Sequence, residues 1–260
     1  MKIFNLFLIL LIFNAAQSQQ STEAHFVKKT KADWEQFFGV DQFDALYFIE
    51  DETLYKKQKN KIQSYSNLQL GKIDYVQVFN TLKIVAFHKD QNTVVLLDNR
   101  LAELSEINFN TTTPYRLINN VALGSDTTFW IFNTLTLQLE LFDYETSKTK
   151  LNTIPLDDKA LVINSNYNNL YALTSSYFYQ FNYTGSLIDK IKHDGFEDFK
   201  LMNGGFLFKK NNIIYYKSSN SNEFHILEIP KNLIKQFFAM NQTLYIYDGE
   251  FLNHYQLKKD

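Results

Sequence analysis

Histidines are the side chains best suited to chemistry at neutral pH, and here they stand far apart, at His25, His88, His193, His225 and His254. No two have the spacing that places metal ligands on one element. The GxSxG elbow, HExxH, the P-loop and GxGxxG are all absent from the chain. With no cysteine there is no thiol nucleophile, no thiolate metal site and no disulfide. Glu50-Asp51-Glu52 and Asp157-Asp158 are adjacent acids in predicted turns. Acid–base work on a sugar needs two carboxyls facing one cleft, whereas neighbours in a hairpin loop form a solvated face. There remains a polar set near the predicted innermost strands: Gln36, Asp74, Gln77, Asn119, Asn120, Asn164, Asp198, Lys200, Lys235 and Gln236. A calcium site would need several carboxylate oxygens. This set is rich in amides and carries lysines that repel a cation. The expectation is no catalytic, cofactor-binding or metal-binding residue, and no cofactor.

The elements that must carry these residues repeat along the chain. Gln36-Phe37-Phe38-Gly39-Val40-Asp41-Gln42 recurs as Gln236-Phe237-Phe238-Ala239-Met240-Asn241-Gln242, and Leu46-Tyr47 recurs as Leu244-Tyr245. Self-similarity over so long a distance signals a repeat architecture. Between the two copies, short apolar-aromatic runs alternate with Asn, Asp, Ser and Lys clusters. The clearest run of each unit is its second strand: 45–49, 82–87, 128–132, 169–173, 205–208 and 243–247. A shorter apolar strand precedes each, a third follows, and a more polar fourth is visible in several. Six units of about 40 residues and four strands predict an all-β fold, a six-bladed β-propeller. A pair of β-sandwich domains is the competing architecture, and it leaves the even spacing unexplained. The nearest thing to a helix is Lys28 to Phe38, where Asp33 could cap a short turn. Glycines number only eight, so Asn-Asn, Asp-Gln-Asn and Ser-Asn are expected to supply the positive-φ positions of the hairpins.

The ends have their own reading. Lys2, the apolar run Ile3 to Phe13 and Ala16-Gln17-Ser18 predict a signal peptide over 1–18, too short to span a bilayer. The rest divides into an N-terminal segment, 19–31, and a propeller, 32–260. The last unit runs out after three strands, so a strand from Ala24 to Lys29 is expected to complete its blade and close the ring. Net charge is −2 with both signs mixed, which excludes nucleic acid as a partner. Aromatics make up 16% of the chain, and their period-two placement assigns most of them to packing between blades.

Ser125-Asp126-Thr127-Thr128-Phe129-Trp130 resembles part of the Asp-box turn of sialidase propellers, without its glycine and only once; in that setting the turn is structural. In blade length, signal peptide and lack of catalytic residues, the chain resembles the non-catalytic periplasmic β-propeller repeat proteins of bacteria, BamB-like or NHL-like in architecture. It shares no motif residues with them, so no site is carried over. The resemblance implies a periplasmic scaffold, with the extracellular space as the other address. It would be a monomer on its own, docking on an envelope or outer-membrane protein complex, and not an enzyme. The alternative is a secreted hydrolase or lactonase, or a glycan-binding protein, using the central channel or a loop face.

Overall fold

A computed structural model describes residues 22–230 and 233–259; the predicted signal peptide lies outside them. Strand β1 (Thr22–Lys31) comes first and is set apart from its neighbours in sequence. Blade 1 follows as β2 (Gln36–Val40), β3 (Leu46–Glu50), β4 (Thr53–Gln58) and β5 (Lys61–Tyr65), and blade 2 as β6 (Tyr75–Asn80), β7 (Lys83–His88), β8 (Thr93–Leu97) and β9 (Glu103–Asn108). Blade 3 is β10 (Ile118–Leu123), β11 (Thr128–Asn133), β12 (Gln138–Asp143) and β13 (Lys148–Asn152). Blade 4 is β14 (Val162–Ser165), β15 (Asn169–Leu173), β16 (Tyr177–Asn182) and β17 (Leu187–Lys192). Blade 5 is β18 (Asp198–Met202), β19 (Gly205–Lys210), β20 (Ile213–Ser218) and the two-residue β21 (His225–Ile226). Blade 6 is β22 (Gln236–Met240), β23 (Thr243–Tyr247) and β24 (Phe251–Lys259), with β1 as its outermost strand.

Six antiparallel four-stranded sheets stand in a ring, and the first strands of neighbouring blades touch around the whole circle. The fold is the six-bladed propeller expected from the repeats. Each innermost strand begins on the same face, called the upper face below. That face also carries the connections between blades and the turns between second and third strands.

Why the second strands read as continuous apolar runs is now plain. In β11, Phe129 and Ile131 pack toward blade 2, while Trp130 and Phe132 pack toward blade 4. A strand sandwiched between two blades is buried on both faces, so it loses its alternation. One apolar cluster fills each of the six inter-blade gaps. In the gap between blades 4 and 5 the filling is aromatic, with Phe178 edge-on to Phe199, Phe206 and Phe208 at 5.1, 5.1 and 4.9 Å.

Turns use side chains where glycine is scarce. Asn211 and Asn212 both have positive φ, as do Asp51 and Glu52, and Asn92 does so in the Asp90-Gln91-Asn92 turn. Asp98, Asp143 and Asn182 each accept backbone N–H bonds from residues two to four further on. The Asp98 and Asp143 turns contain no glycine, whereas the Asn182 turn also uses Gly185 at a φ of +77°. Leu101 and Leu137 also have positive φ, which composition did not signal.

The ring closes as expected, with β1 running antiparallel to β24 from Thr22 opposite Lys259 to Lys31 opposite Phe251, with one bulge at Phe26/Lys28. No helix forms over Lys28 to Phe38. Ala32 N–H instead donates to Glu250 O at 2.8 Å, and Trp34 stacks on Phe48 at 4.5 Å. The Tyr247 hydroxyl accepts from Trp34 N–H at 3.1 Å and sits among the carbonyls of Ala32, Trp34 and Gly249. The two matching stretches do lie side by side, as β2 and β22. They differ where they meet: a Cβ on Gly39, whose φ is +145°, would lie 2.6 Å from the Phe238 ring.

His254 sits in this closing sheet with its ring 4.8 Å from that of Tyr245, and its buried Nε2 has no partner among the described residues. Burial, and then the Lys28 charge, push it down to about 4. An unfolded histidine titrates near ~6.5. A depressed folded-state pKa means stability that is complete above ~6.5 and is lost as pH falls toward 4. Thermal melts from pH 7 to pH 4 should therefore show a smaller loss of Tm in His254→Gln than in the parent chain. Equal losses would mean that this group does not govern the seam.

A buried ion pair anchors blade 3. Arg116 Nε donates to Glu140 Oε2 at 2.8 Å, Nη2 to Thr149 Oγ1 at 2.8 Å and Nη1 to Pro114 O at 2.8 Å. Asn133 Nδ2 donates to the other Glu140 oxygen at 2.8 Å. Burial alone would push the Glu140 carboxyl up, but the bonds from Thr149, Arg116 and Asn133, with the Arg116 charge, carry it below the usual carboxylate range.

Candidate functional site

The polar residues expected around the channel divide into two groups. Most of the amides are clamps between blades. Gln236 Oε1, in blade 6, accepts from Phe37 N–H of blade 1 at 2.6 Å. Gln36 Nε2 donates to Asp74 O, at the start of blade 2, at 3.4 Å. Gln77 Oε1 accepts from Leu123 N–H of blade 3 at 2.6 Å, and Asn119 and Asn120 donate to Ala160 O and Leu161 O, at the start of blade 4, at 3.1 and 3.0 Å. The Ser165 hydroxyl returns a bond to Leu123 O. An innermost strand has no sheet neighbour on its channel side, so its backbone groups need partners from elsewhere. Amide side chains, which both donate and accept, supply them.

Two members of the expected set are not at the channel. Asp74 turns outward, accepting Lys89 N–H at 2.9 Å with Lys72 Nζ at 3.5 Å. Lys235 is exposed, and its Nζ lies 5.8 Å from the Tyr247 ring.

The second group is small and charged. In β18, Asp198 and Lys200 are two residues apart and share a face. Lys200 Nζ bonds both Asp198 oxygens, at 3.0 and 2.9 Å, and lies 5.4 Å from the Phe237 ring of blade 6. Tyr75, the first residue of β6 in blade 2, packs against the apolar cluster between blades 2 and 3 and is near enough to feel the Asp198 charge. Burial, and then the Asp198 charge, push its phenol well above the usual range. Blades 2 and 5 lie across the ring from one another, so the channel is narrow here. One step further in, Gln77 Nε2 donates across the channel to Asn164 Oδ1 at 3.0 Å, linking blades 2 and 4. The upper end of the channel thus carries the Asp198–Lys200 ion pair of blade 5 and the Tyr75 phenol of blade 2, with the Gln77–Asn164 bond crossing the channel one step further in.

This arrangement has chemical content. The phenol stays protonated at neutral pH and serves as a donor. The carboxylate can take up a proton, and the ammonium can stabilise a developing oxyanion. Asp198 and Lys200 were visible in the sequence, but Tyr75 was missed, because a tyrosine in a strand reads as core. Its two-residue spacing from Gln77 was the available signal.

Elsewhere most polar groups are paired, although the buried Nε2 of His88, like that of His254, has no partner among the described residues. His88 is fully buried, with Nδ1 3.1 Å from both Gly71 O and Lys72 O. His193 bonds Thr174 O and Phe196 N–H, each at 3.1 Å. His25 and His225 lie beside Glu23 and Glu223 at the outer strands. Asp157 pairs with Lys190 at 2.7 Å, Asp158 with Ser175 at 2.7 Å, and Asp51-Glu52 form a hairpin turn. Trp130 is core. Two shallow depressions lie on the upper rim, one around Lys29, Lys235 and Phe251 and one around His193, Lys210 and Phe224. Both are open to solvent, and Lys210 is paired with Asp194 at 2.9 Å. Among the described residues no three His, Asp or Glu come together to hold a metal ion, and no helix is long and apolar enough to cross a membrane.

No protein-family model matches the chain, and no curated protein matches it in sequence. Solved structures do match, 1102 chains in all, as befits an architecture that hosts many functions. A streptogramin B lyase aligns over 92% of this chain and 88% of its own, with a TM-score of 0.63 and 12% identity. Virginiamycin B lyase from Staphylococcus aureus aligns over 89% of this chain and 99% of its own, with a TM-score of 0.63 and 10% identity. A catalytically inactive variant of that lyase, solved with quinupristin, gives a TM-score of 0.61 at 11% identity. At these identities the likeness is one of fold, and it supports the propeller without a BamB-like identity.

The comparison corrects one expectation. A propeller of this size without a recognisable motif was read as a non-catalytic scaffold and not an enzyme. These neighbours are enzymes on the same six-bladed ring. Absence of a familiar motif is therefore no ground for a scaffold.

Proposed function

We propose that this chain is an exported propeller enzyme, working at the upper mouth of its channel on a small molecule that presents a carbonyl oxygen. The observation that carries this reading is the Tyr75–Asp198–Lys200 cluster. With the amides committed to clamping blades, the charged groups left at the upper end of the channel are the Asp198–Lys200 pair, and the Tyr75 phenol lies within the field of Asp198. Tyr75 would protonate or hydrogen-bond the carbonyl or leaving oxygen, Lys200 would balance its negative charge, and Asp198 would accept a proton from substrate or water. Bond cleavage by elimination and cleavage by water both fit these roles. The lyase names of the structural neighbours favour the first. Export rests on Lys2, the apolar run after it and Ala16-Gln17-Ser18.

The test is turnover by the purified chain of a streptogramin B and of a panel of lactones and linear esters, followed by mass spectrometry. A cyclic substrate opened by elimination keeps its mass, and one opened by hydrolysis gains a water. Tyr75→Phe, Asp198→Asn and Lys200→Met should each lower kcat/KM by about a hundredfold or more with little change in Tm. Turnover undiminished in all three variants, or none on any substrate, would sink the assignment.

A further inference from the structure

The upper face is not uniformly polar: besides single exposed side chains such as Leu68 and Leu233, a group of apolar residues is exposed at the upper end of blade 3 among the described residues. Leu117, Leu135, Ile154 and Leu161 are 42%, 59%, 53% and 46% exposed, and Tyr115 is 50% exposed. All belong to the connections and the turn at the upper end of blade 3. Backbone bonds hold them together: Thr134 N–H donates to Leu117 O at 2.9 Å, and Leu156 N–H to Leu137 O at 2.8 Å. The link to the channel is direct, since Asn120 holds Leu161 O at 3.0 Å and Asn119 holds Ala160 O at 3.1 Å. The corresponding turns of the other blades are polar: Asp51-Glu52, Lys89 to Gln91, Ser175-Ser176, Asn211-Asn212 and Asp248 to Glu250.

We infer that the molecule taken at the channel mouth is a neutral acyl compound with an apolar substituent, its carbonyl at the upper end of the channel and its apolar part over Leu117, Leu135, Ile154 and Leu161. This rests on the channel reading above and adds the substrate class. Neutrality follows from charge balance, because Lys200 and Asp198 already cancel each other and leave Tyr75 O–H as the donor for an uncharged acceptor. The apolar part follows from size. A stable protein interface takes about 20–30 residues a side, and this sector is a handful of side chains bounded by polar turns. That suits one substituent of a small ligand, for which apolar lining with a few convergent polar groups is usual.

The experiment titrates the full chain with a series from N-methylbutanamide to N-methyldecanamide by calorimetry. Binding should tighten about fourfold per added methylene until the sector is covered, the factor expected of a buried CH₂. In Ile154→Asp and Leu161→Asp the ratio of decanamide to butanamide affinity should collapse. In Lys200→Met and Tyr75→Phe both affinities should weaken while the ratio persists. A flat series in the parent chain, with butanamide binding still sensitive to Tyr75→Phe, would overturn the apolar inference and leave the channel reading standing. A steep series untouched by Ile154→Asp and Leu161→Asp would also overturn it, by placing the substituent elsewhere. Sedimentation completes the set: a dimer abolished by Leu135→Asp would assign the sector to a second copy and overturn the proposal. Binding of no amide, together with no turnover, would sink both readings.

Discussion

Deleting residues 19–31 should cost the whole propeller its stability, not only one edge. The deletion removes β1 and strips the outer side of β24, whose Leu252, Tyr255 and Leu257 are buried. Several backbone hydrogen bonds are lost at about 1 kcal/mol each, and with them the contact of Phe26 with Tyr255 at 5.8 Å. A loss of roughly 5 kcal/mol lowers Tm by about 10 °C or more in a chain of this size. Because the same sheet joins the two ends of the chain, the loss should appear as one cooperative transition at lower temperature. Differential scanning calorimetry of the truncated and parent chains decides it. A truncated chain that melts like the parent would mean that blades 6 and 1 hold together through β22 and β2 alone.

The second large effect is expected at Arg116. Replacing it with Met leaves the Glu140 carboxylate buried, with bonds from Thr149 and Asn133 but no opposing charge. Breaking a buried pair from one side costs about 3–5 kcal/mol, whereas replacing both partners by apolar side chains is often close to neutral. Chemical denaturation should accordingly rank the parent and R116M/E140M together, with R116M far below. Glu140 has a lowered folded-state pKa in the parent, so its contribution is present above the unfolded value of ~4.3 and is lost as pH falls below it. In R116M the lone buried carboxylate prefers its proton, so the gap between the two proteins should narrow toward pH 4. A gap independent of pH would mean that Arg116 acts by packing over the Phe142 ring, 5.2 Å away.

The contrast between fold and site shows what a sequence can carry. Burial on both faces imprints second strands such as Lys83–His88 and Thr128–Asn133 as unbroken apolar runs, so the blades were visible one by one. In blade 5 the fourth strand is shorter than the run Glu223 to Ile229 suggests, since only His225–Ile226 pairs in the sheet. The nearest candidate for a helix, Lys28 to Phe38, does not form one, and Trp34 finds its partner, Phe48, on another strand. The channel was legible in composition and illegible in geometry. Gln36, Gln77, Asn119, Asn120 and Gln236 look like ligand groups until their partners are known, and those partners are backbone atoms of other blades. Lys235 fell on the wrong side because nothing local marks where an innermost strand turns away from the channel. Exposure of Leu135 or Ile154 was equally hidden, since an apolar residue next to a strand reads as core.

The position of β1 has a consequence in time. It is the earliest described part of the chain to be synthesised, and its partner β24 is among the last. The Tyr247 hydroxyl meets Trp34 across 213 residues of sequence. Until the final blade exists, the first strand has nothing to pair with, and the ring has an open gap whose closure requires bringing distant segments together. A nascent chain of this design cannot close its ring before β24 has been made.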